Sequence, residues 1–565
     1  MPSLSYLLSP SIWLSLAVWA LPVAAQGISV DERAELTAAD AAEQEEFGRS
    51  IGFDGTTLVV GAHLDATTAP GAGAAYVFTR DGSGWRERAE LLAPDGAADD
   101  RFGASVAVDG DTILVGAPLD DTAQGESTGA VYVFVRSGTS WSFQEKLLPG
   151  TVADGDQFGF AVALQGERAY IGAPFEDVTI DGEGALYVYR RTGSAWSVET
   201  QLFGSSANPL AAFGGAVAVD GTRLVVGARN HDGNQPTAGG AYVYDRSGTV
   251  WSESALLTAS DGASSDLFGV SVTVEGETAL IGASLRDSGR GAAYVYQRSA
   301  SVWVEEQRLF APAAFLFDQF GLSVELENGV AIVGDVLGPE GRGGGAVRVF
   351  ERSAGVWQSS ALVRASDAFD TPNGLLAPFF GWSVVAEAGT LVVSALRDDQ
   401  AALDAGSVYV FDLDRLRFCN AADGATQLCP CANPGLTDFG CDLAQGTGGV
   451  DLSLVEQETG ALNRVTLTGR NLPTQTAPAA LVLRSGAPAV GGPAVFGDGV
   501  LCLATPLVRL GAAFGAGGTS IHTFGHGTMA GAGVAYYQLW FRNAPASFCD
   551  PAAAFNLSNG LTLVW

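Results

Sequence analysis

Residues Phe102–Asp121 read FGASVAVDGDTILVGAPLDD, and Gly129–Trp141 read GAVYVFVRSGTSW. Ser105–Val108 alternates small and apolar side chains, as a strand with one face on a core does. Asp109-Gly110 is a dipeptide favoured in two-residue hairpin turns. Thr112–Val115 is a short apolar run suited to a strand buried on both faces. Val131–Val135 makes a third strand, Ser137-Gly138 a turn, and Trp141–Leu147 a fourth strand. Four antiparallel strands in ~55 residues is the size of one propeller blade. The phrase recurs: Phe-Gly stands at Phe47, Phe102, Phe158, Phe213, Phe268, Phe320 and Phe380, at intervals of 55, 56, 55, 55, 52 and 60 residues. The expectation is an all-β chain whose residues 26–414 close into one seven-bladed β-propeller.

The recurring residue types suit that architecture. Gly103 and Gly116 fall on the two inner strands, where neighbouring blades crowd and a side chain would collide. Phe102 and Trp141 supply apolar area for the wider gap farther out, and Trp recurs at Trp85, Trp141, Trp196, Trp251, Trp303 and Trp357. The seventh copy reaches Tyr409-Val410-Phe411 and lacks a fourth strand. Ile28–Leu36 (ISVDERAEL) aligns with the outer-strand segment GWRERAELL of the first repeat, with Val30 in the Trp position. The segment 28–36 is therefore expected to close blade seven and remove an open sheet edge.

FG, GAP and YVF in this order resemble FG-GAP repeats, the units of the integrin α-chain propeller and of many secreted bacterial proteins; the resemblance covers residues 28–412. It implies a propeller fold and does not dictate an activity. Family members hold Ca²⁺ in long Asp-rich hairpins between strands one and two. The corresponding hairpins here, such as Asp54-Gly55, Asp109-Gly110 and Asp220-Gly221, are too short to wrap six or more oxygens round an ion, so that site does not carry over.

The loops between strands two and three share a face with the blade linkers, and both are acidic. They carry Asp65, Asp120, Asp121, Glu176, Asp177, Asp232, Asp287, Asp398 and Asp399, and the linkers add Glu45, Asp100, Asp156, Asp266 and Asp318 among others. Of these, Asp65, Asp120, Asp121, Asp177, Asp232, Asp287 and Asp399 are cation candidates, for Ca²⁺ if any, against the alternative of a solvated rim. An Arg follows the Tyr position by four residues in six blades (Arg80, Arg136, Arg191, Arg246, Arg298, Arg352), so an electrically two-sided disc is expected.

Short catalytic motifs have simpler readings. Gly48-Arg49-Ser50-Ile51-Gly52 matches a GxSxG elbow, but Ser105, Ser271, Ser323 and Ser383 fill the same repeat position and no helix follows. His522 and His526, the latter in the segment His526-Gly527-Thr528, have the i,i+4 spacing of a metal pair, but that spacing needs a helix and the stretch is Gly-rich, and His63 and His231 are expected in loops without partners. No catalytic residue is assigned.

Residues 1–25 read as an export signal: Leu14–Leu21 is almost wholly apolar, and Val23-Ala24-Ala25 precedes a cleavage point at Gln26. All six Cys lie beyond the propeller, at Cys419, Cys429, Cys431, Cys441, Cys502 and Cys549. In an exported chain they suggest three disulfides among 15 possible pairings, with a zinc site as the alternative. Residues 415–448 form a Cys-rich linker, and 449–565 show alternating runs that suggest a small β-sandwich-like domain. The net charge of −32 disfavours nucleic acid and anionic membrane surfaces. The expectation is a secreted or cell-envelope, monomeric, non-enzymatic binding or adhesion protein for an extracellular protein or glycan. The alternatives are a secreted carbohydrate-active enzyme on a propeller scaffold and a structural envelope protein.

Overall fold

The computed structural model describes residues 33–413, except 83, 151–152, 207, 312–315, 339–343, 354, 366–377 and 400, together with the backbone of strands between 451 and 564. Seven four-stranded antiparallel sheets form the first region. Blade 1 is typical: Phe47–Phe53, Thr57–Ala62, Ala74–Asp81 and Gly84–Leu91, paired in sequence order. Blade 7 consists of Phe380–Glu387, Thr390–Ala395 and Ser407–Asp412, and its outer strand is Ala34–Leu36. The register is Ala34 on Val410, Glu35 on Tyr409 and Leu36 on Val408. The Arg33 N–H donates to the Val410 carbonyl at 2.7 Å, and the Arg33 guanidinium pairs with Asp412. Blade seven is closed by the N-terminal segment, as its sequence indicates.

The inner strand of each blade packs on the inner strand of the next, and that of blade 7 returns to blade 1. Gly116 shows why glycine is needed on the second strand: a Cβ there would lie 2.2 Å from the Gly159 carbonyl oxygen of blade 3. The Phe of each Phe-Gly is fully buried, and Phe102 meets Tyr132 edge-on at 5.3 Å and Phe134 at 6.1 Å. Hydrophobic clusters run across blade boundaries. One holds Val59 and Val77 of blade 1 with Val106, Ile113 and Tyr132 of blade 2, so burial belongs to the junctions as much as to the blades.

The sixth blade departs from the repeat. Asp335 occupies the Ala position after the inner Gly, and Arg348 occupies the Tyr position; the two form a buried ion pair at 3.3 Å. The carboxyl of Asp335 is pushed up to about 6 by burial despite that guanidinium.

Beyond the propeller, the described backbone includes Asp451–Glu458, Arg464–Arg470 and Ser520–Gly525 in one sheet. Val508–Phe514, Ala479–Ser485, Val534–Arg542 and Phe555–Val564 form a second. The expected strands of the C-terminal region are thus present, while their packing into a sandwich lies outside what is described. The signal segment 1–25 and Cys419, Cys429, Cys431, Cys441, Cys502 and Cys549 also lie outside the described residues. Among the described residues no helix is long and apolar enough to cross a membrane.

Candidate functional site

The acidic loops are built from carboxylates that hold the chain in shape. In blades 1, 2, 3 and 7 the first carboxylate of the loop receives the hydroxyl of the third-strand tyrosine: Tyr76 donates to Asp65 at 3.0 Å, Tyr132 to Asp120 at 2.5 Å, Tyr187 to Glu176 at 2.8 Å and Tyr409 to Asp398 at 2.6 Å. Glu176 is pushed up to about 7 by burial. The next position caps its own loop. Asp121 accepts the Ser127 N–H at 2.8 Å, Asp177 that of Gly182 at 2.6 Å, Asp232 that of Thr237 at 2.8 Å and Asp399 that of Asp404 at 2.8 Å. Asp287 has a left-handed φ of 53° and lies 3.5 Å from Arg308. Linker carboxylates do likewise: Asp100, Asp156 and Asp266 take the N–H of the residue three positions earlier, Ala97, Ala153 and Ala263, at 2.6–2.7 Å.

The seven cation candidates therefore sit in six separate blades, each engaged within its own blade. Among the described residues no group of three or more His, Cys, Asp or Glu is placed to hold a metal.

The opposite face corrects the expectation of a two-sided disc. Three of its arginines sit over the outer-strand tryptophans: Arg136 over Trp141 at 5.4 Å, Arg191 over Trp196 at 5.5 Å and Arg246 over Trp251 at 5.6 Å. Carboxylates of the same face hold several of them, with Arg136–Asp111 and Arg191–Glu167 both at 2.7 Å. A groove of about 380 Å³ between blades 2 and 3 is lined by these same paired groups. The first hairpin turn of most blades adds another carboxylate, which clips the neighbouring turn. Asp54 accepts the Gly110 N–H at 3.1 Å, Asp109 that of Gly166 at 2.6 Å, Asp220 that of Gly276 at 2.6 Å and Glu275 that of Gly329 at 2.9 Å. Both faces carry carboxylates, and the arginines of this one have packing roles.

The unexpected constellation is at the channel mouth on the loop-bearing face. Its members come from three kinds of position: beside the Phe-Gly, two residues after that Phe, and just after the inner Gly-Ala. Arg49 of blade 1 lies over the Trp382 ring of blade 7 at 5.1 Å. Arg229 of blade 4 lies over Phe160 of blade 3 at 5.3 Å, and Phe160 meets Phe175 edge-on at 6.3 Å. Arg397 lies over Phe379 at 5.1 Å, and Phe379 stacks beside Trp382 at 6.3 Å. Glu46 takes a hydrogen bond from His63 Nε2 at 3.1 Å and has Arg397 at 3.8 Å.

All these side chains are half-buried. Burial pulls the Glu46 carboxyl up, but His63, Arg397 and Arg49 outweigh it and hold it below its ordinary value. Burial pushes the Arg49 guanidinium down; Glu46 opposes this, while the charges of Arg101 and Arg229 add to it. Arg229 is also pushed down by burial. Arg101 has a partner in Asp99 at 3.1 Å. Arg49 and Arg229 form no salt bridge among the described residues, and Arg49 Nε is buried without a hydrogen-bond partner.

Sequence reasoning missed this group. It placed His63 and His231 without partners, whereas His63 bonds Glu46 and His231 Nδ1 lies 2.9 Å from Asn208 Oδ1. It also treated Arg49 only as part of a false nucleophile elbow; Ser50 donates instead to the Gly103 carbonyl at 2.9 Å, between blades. His522 lies in the strand Ser520–Gly525.

Comparison with curated proteins returns no match. The FG-GAP repeat model matches residues 30–78, 85–134, 141–189, 196–244, 251–296 and 374–411. The first five matched units each run from the outer strand of one blade to the third strand of the next, so the first opens on the segment that closes blade 7, and the sixth covers the first three strands of blade 7. The blade carrying Asp335 and Arg348 is the one left unmatched. The chain is an FG-GAP repeat protein, and its repeats build a seven-bladed β-propeller.

Proposed function

We propose that this chain is a secreted, monomeric, non-enzymatic binding or adhesion protein that presents the loop-bearing face of its propeller to an extracellular ligand. The observation that supports this is a set of half-buried arginines set over aromatic rings at the inner ends of the blades, Arg49 of blade 1 over Trp382 of blade 7, Arg229 of blade 4 over Phe160 of blade 3, and Arg397 over Phe379. Concave sites with apolar walls and a few convergent polar groups are where ligands bind. Glycosidic chemistry on such a scaffold asks for two neighbouring carboxyls whose pKa values are driven apart. Here Glu46 is held low beside cations, while Glu325 and Glu327 on the inner strand of blade 6 are both raised by burial.

The test is a screen of the purified full chain against a glycan array and a panel of purified extracellular proteins, in Ca²⁺ and in EDTA. Saturable binding to at least one ligand is expected. Absence of binding together with hydrolysis of a polysaccharide would overturn the reading. Because the candidate aspartates are dispersed over six blades, the melting temperature is expected to be the same in Ca²⁺ and in EDTA; calorimetry that showed a rise of several degrees with Ca²⁺ would contradict this.

A further inference from the structure

Of the thirteen large apolar side chains exposed among the described residues, six belong to blade 5 and the linker that leaves it: Leu285, Val302, Val304, Phe310, Leu316 and Phe317. Four of these gather round one loop of the loop-bearing face, the one between strands two and three of blade 5. Phe317 rests on it: a Cβ on Gly289 would lie 3.2 Å from the Phe317 Cδ1, and the Gln319 N–H donates to the Gly289 carbonyl at 2.8 Å. The Gly289 N–H donates in turn to the Leu285 carbonyl at 2.9 Å. Asp287 of the same loop pairs with Arg308 at 3.5 Å, and that guanidinium sits over the Phe310 ring at 5.6 Å. Phe317 is the anomaly of the group. It is 64% exposed, and its backbone is left-handed at a φ of 72°. The same linker position is left-handed on entry to blades 1 to 5, where Gln44, Asp99, Gly155, Leu210 and Ser265 fill it. Gly, Asn and Asp adopt that conformation readily, and a bulky side chain does not. A phenylalanine there carries backbone strain and gains little burial, so the stability of the free chain does not account for it.

Charge selects what can cover this patch. Arg286 is held by Asp261 and Asp266, and Arg308 by Asp261 and Asp287, so these cations are answered locally. Arg290 is exposed and forms no salt bridge among the described residues. It is one cation against the exposed Asp99, Asp121, Asp177 and Asp232 of the same face, in a chain with a net charge of −32. An acidic partner would bring carboxylates against carboxylates, whereas a basic one is drawn to this face. Leucine side chains beside the two phenylalanines suit apolar side chains of a protein, and an apolar centre with a charged rim is the composition of a protein–protein contact.

We propose that the patch of Leu285, Phe310, Leu316 and Phe317 binds a basic, amphipathic segment of a partner protein. The patch receives the apolar side chains of that segment, and the acidic loops of the face receive its Lys and Arg. This rests on the reading of the chain as a binding protein that uses its loop-bearing face, and names a partner class and a place on that face. The experiment is calorimetric titration of the full chain with a peptide of Leu and Lys patterned as an amphipathic helix. The same peptide with Glu for Lys, and with Ser for Leu, supplies the two comparison arms. The Leu–Lys peptide is expected to bind roughly tenfold or more tightly than either of the others. The titrations are repeated on Phe317→Asn and on Val302→Ser/Val304→Ser, an exposed apolar pair on the outer strand of the same blade. Phe317→Asn is expected to weaken binding severalfold while its melting temperature holds or rises, because asparagine accepts the left-handed backbone. The valine variant is expected to bind as the wild type does. A melting temperature that falls in Phe317→Asn would assign Phe317 to the packing of the fold and overturn the proposal. So would equal binding of the Glu or Ser peptide, no binding of the Leu–Lys peptide, or equal weakening by the two variants. Binding of a glycan or an extracellular protein that Phe317→Asn leaves intact, with no binding of the Leu–Lys peptide, would overturn this assignment while leaving the binding function standing.

Discussion

Tyr76 and Tyr132 occupy the same repeat position, yet their surroundings carry opposite charge. Beside Tyr132, Lys146 bridges Asp95 at 2.8 Å and Asp120 at 2.9 Å, with its ammonium 5.0 Å from the ring centre. The cross-strand neighbour of Tyr76 is instead Glu90, whose carboxyl is raised first by burial and then by Asp40 and Asp65. Blade 2 thus shows how blade 1 can be relieved. Glu90→Lys should raise stability at pH 7 by about 1 kcal/mol, a modest figure because the position is partly solvated. Thermal unfolding checks it, and the gain should vanish near pH 3, where the carboxylates are protonated. Glu325 gives a second case with a defined pH window. Burial pushes it from 4.5 to about 8, and its contacts with Leu326 N–H and Thr273 do not offset this. The native state therefore holds a proton that the unfolded chain has already released between about pH 4.5 and 8, and stability falls as pH rises through that range. Glu325→Gln should melt with the wild type below pH 4.5 and above it at pH 8; a constant difference across the range would exclude this cause.

The outer strand of blade 7 is three residues long, and it completes a ring of seven sheets. Without it, the Ser407–Asp412 strand would present unpaired N–H and C=O groups to solvent, and Leu36 would leave the cluster it shares with Phe47, Val408 and Val410. Deleting residues 27–40 should lower the melting temperature strongly, by several kcal/mol of stability, and promote concentration-dependent association; an unchanged melting curve would refute the closure role. This strand was legible because its Ala-Glu-Leu repeats that of the first blade at the same distance from Phe-Gly. Other features left no such trace. In blades 1 to 6 the third and fourth strands slip register at one place, between Val77 and Phe78 or their equivalents. The inserted residues include Arg88, Gln144, Glu199 and Ser254, which are all polar but differ in charge, size and hydrogen-bonding groups. A bulge is a backbone property and can be filled by any of them. Blade 6 shows the converse: Asp335 and Arg348 erase the Ala and Tyr of the repeat, yet their ion pair keeps the blade.

At the scale of the whole ring, the same distinction decides what could be read. Blade cores repeat, so every copy reinforces the pattern; the channel mouth does not repeat, because closure brings different positions of different copies together. Arg49 follows its Phe by two residues, Arg229 follows the inner Gly-Ala of blade 4, and Arg397 lies one residue farther along in blade 7. No spacing along the chain connects them. The charge balance of the ring, by contrast, is visible in composition and has a consequence for stability. With 62 acidic and 30 basic residues, many carboxylates have no cation, and the hairpin carboxylates Asp54, Asp109, Asp220 and Glu275 lie on the turns of blades 1, 2, 4 and 5 on one face. Salt acts on two terms of opposite sign. It weakens the exposed ion pairs, each worth about 0–1 kcal/mol, and it screens the self-repulsion of a chain at −32. The excess of carboxylates makes the second term the larger, because the 62 acids outnumber the 30 cations by 32. Raising NaCl from about 10 mM to about 0.5 M at pH 7 should therefore raise the melting temperature, most steeply below about 0.15 M, where the screening length passes through ~8 Å. At pH 4 the carboxylates are partly protonated, the repulsion has already fallen, and the same addition of salt should have a smaller effect. A melting temperature that falls with salt at pH 7 would mean that the paired arginines, Arg136, Arg191 and their equivalents, outweigh the unpaired acids in holding the ring together.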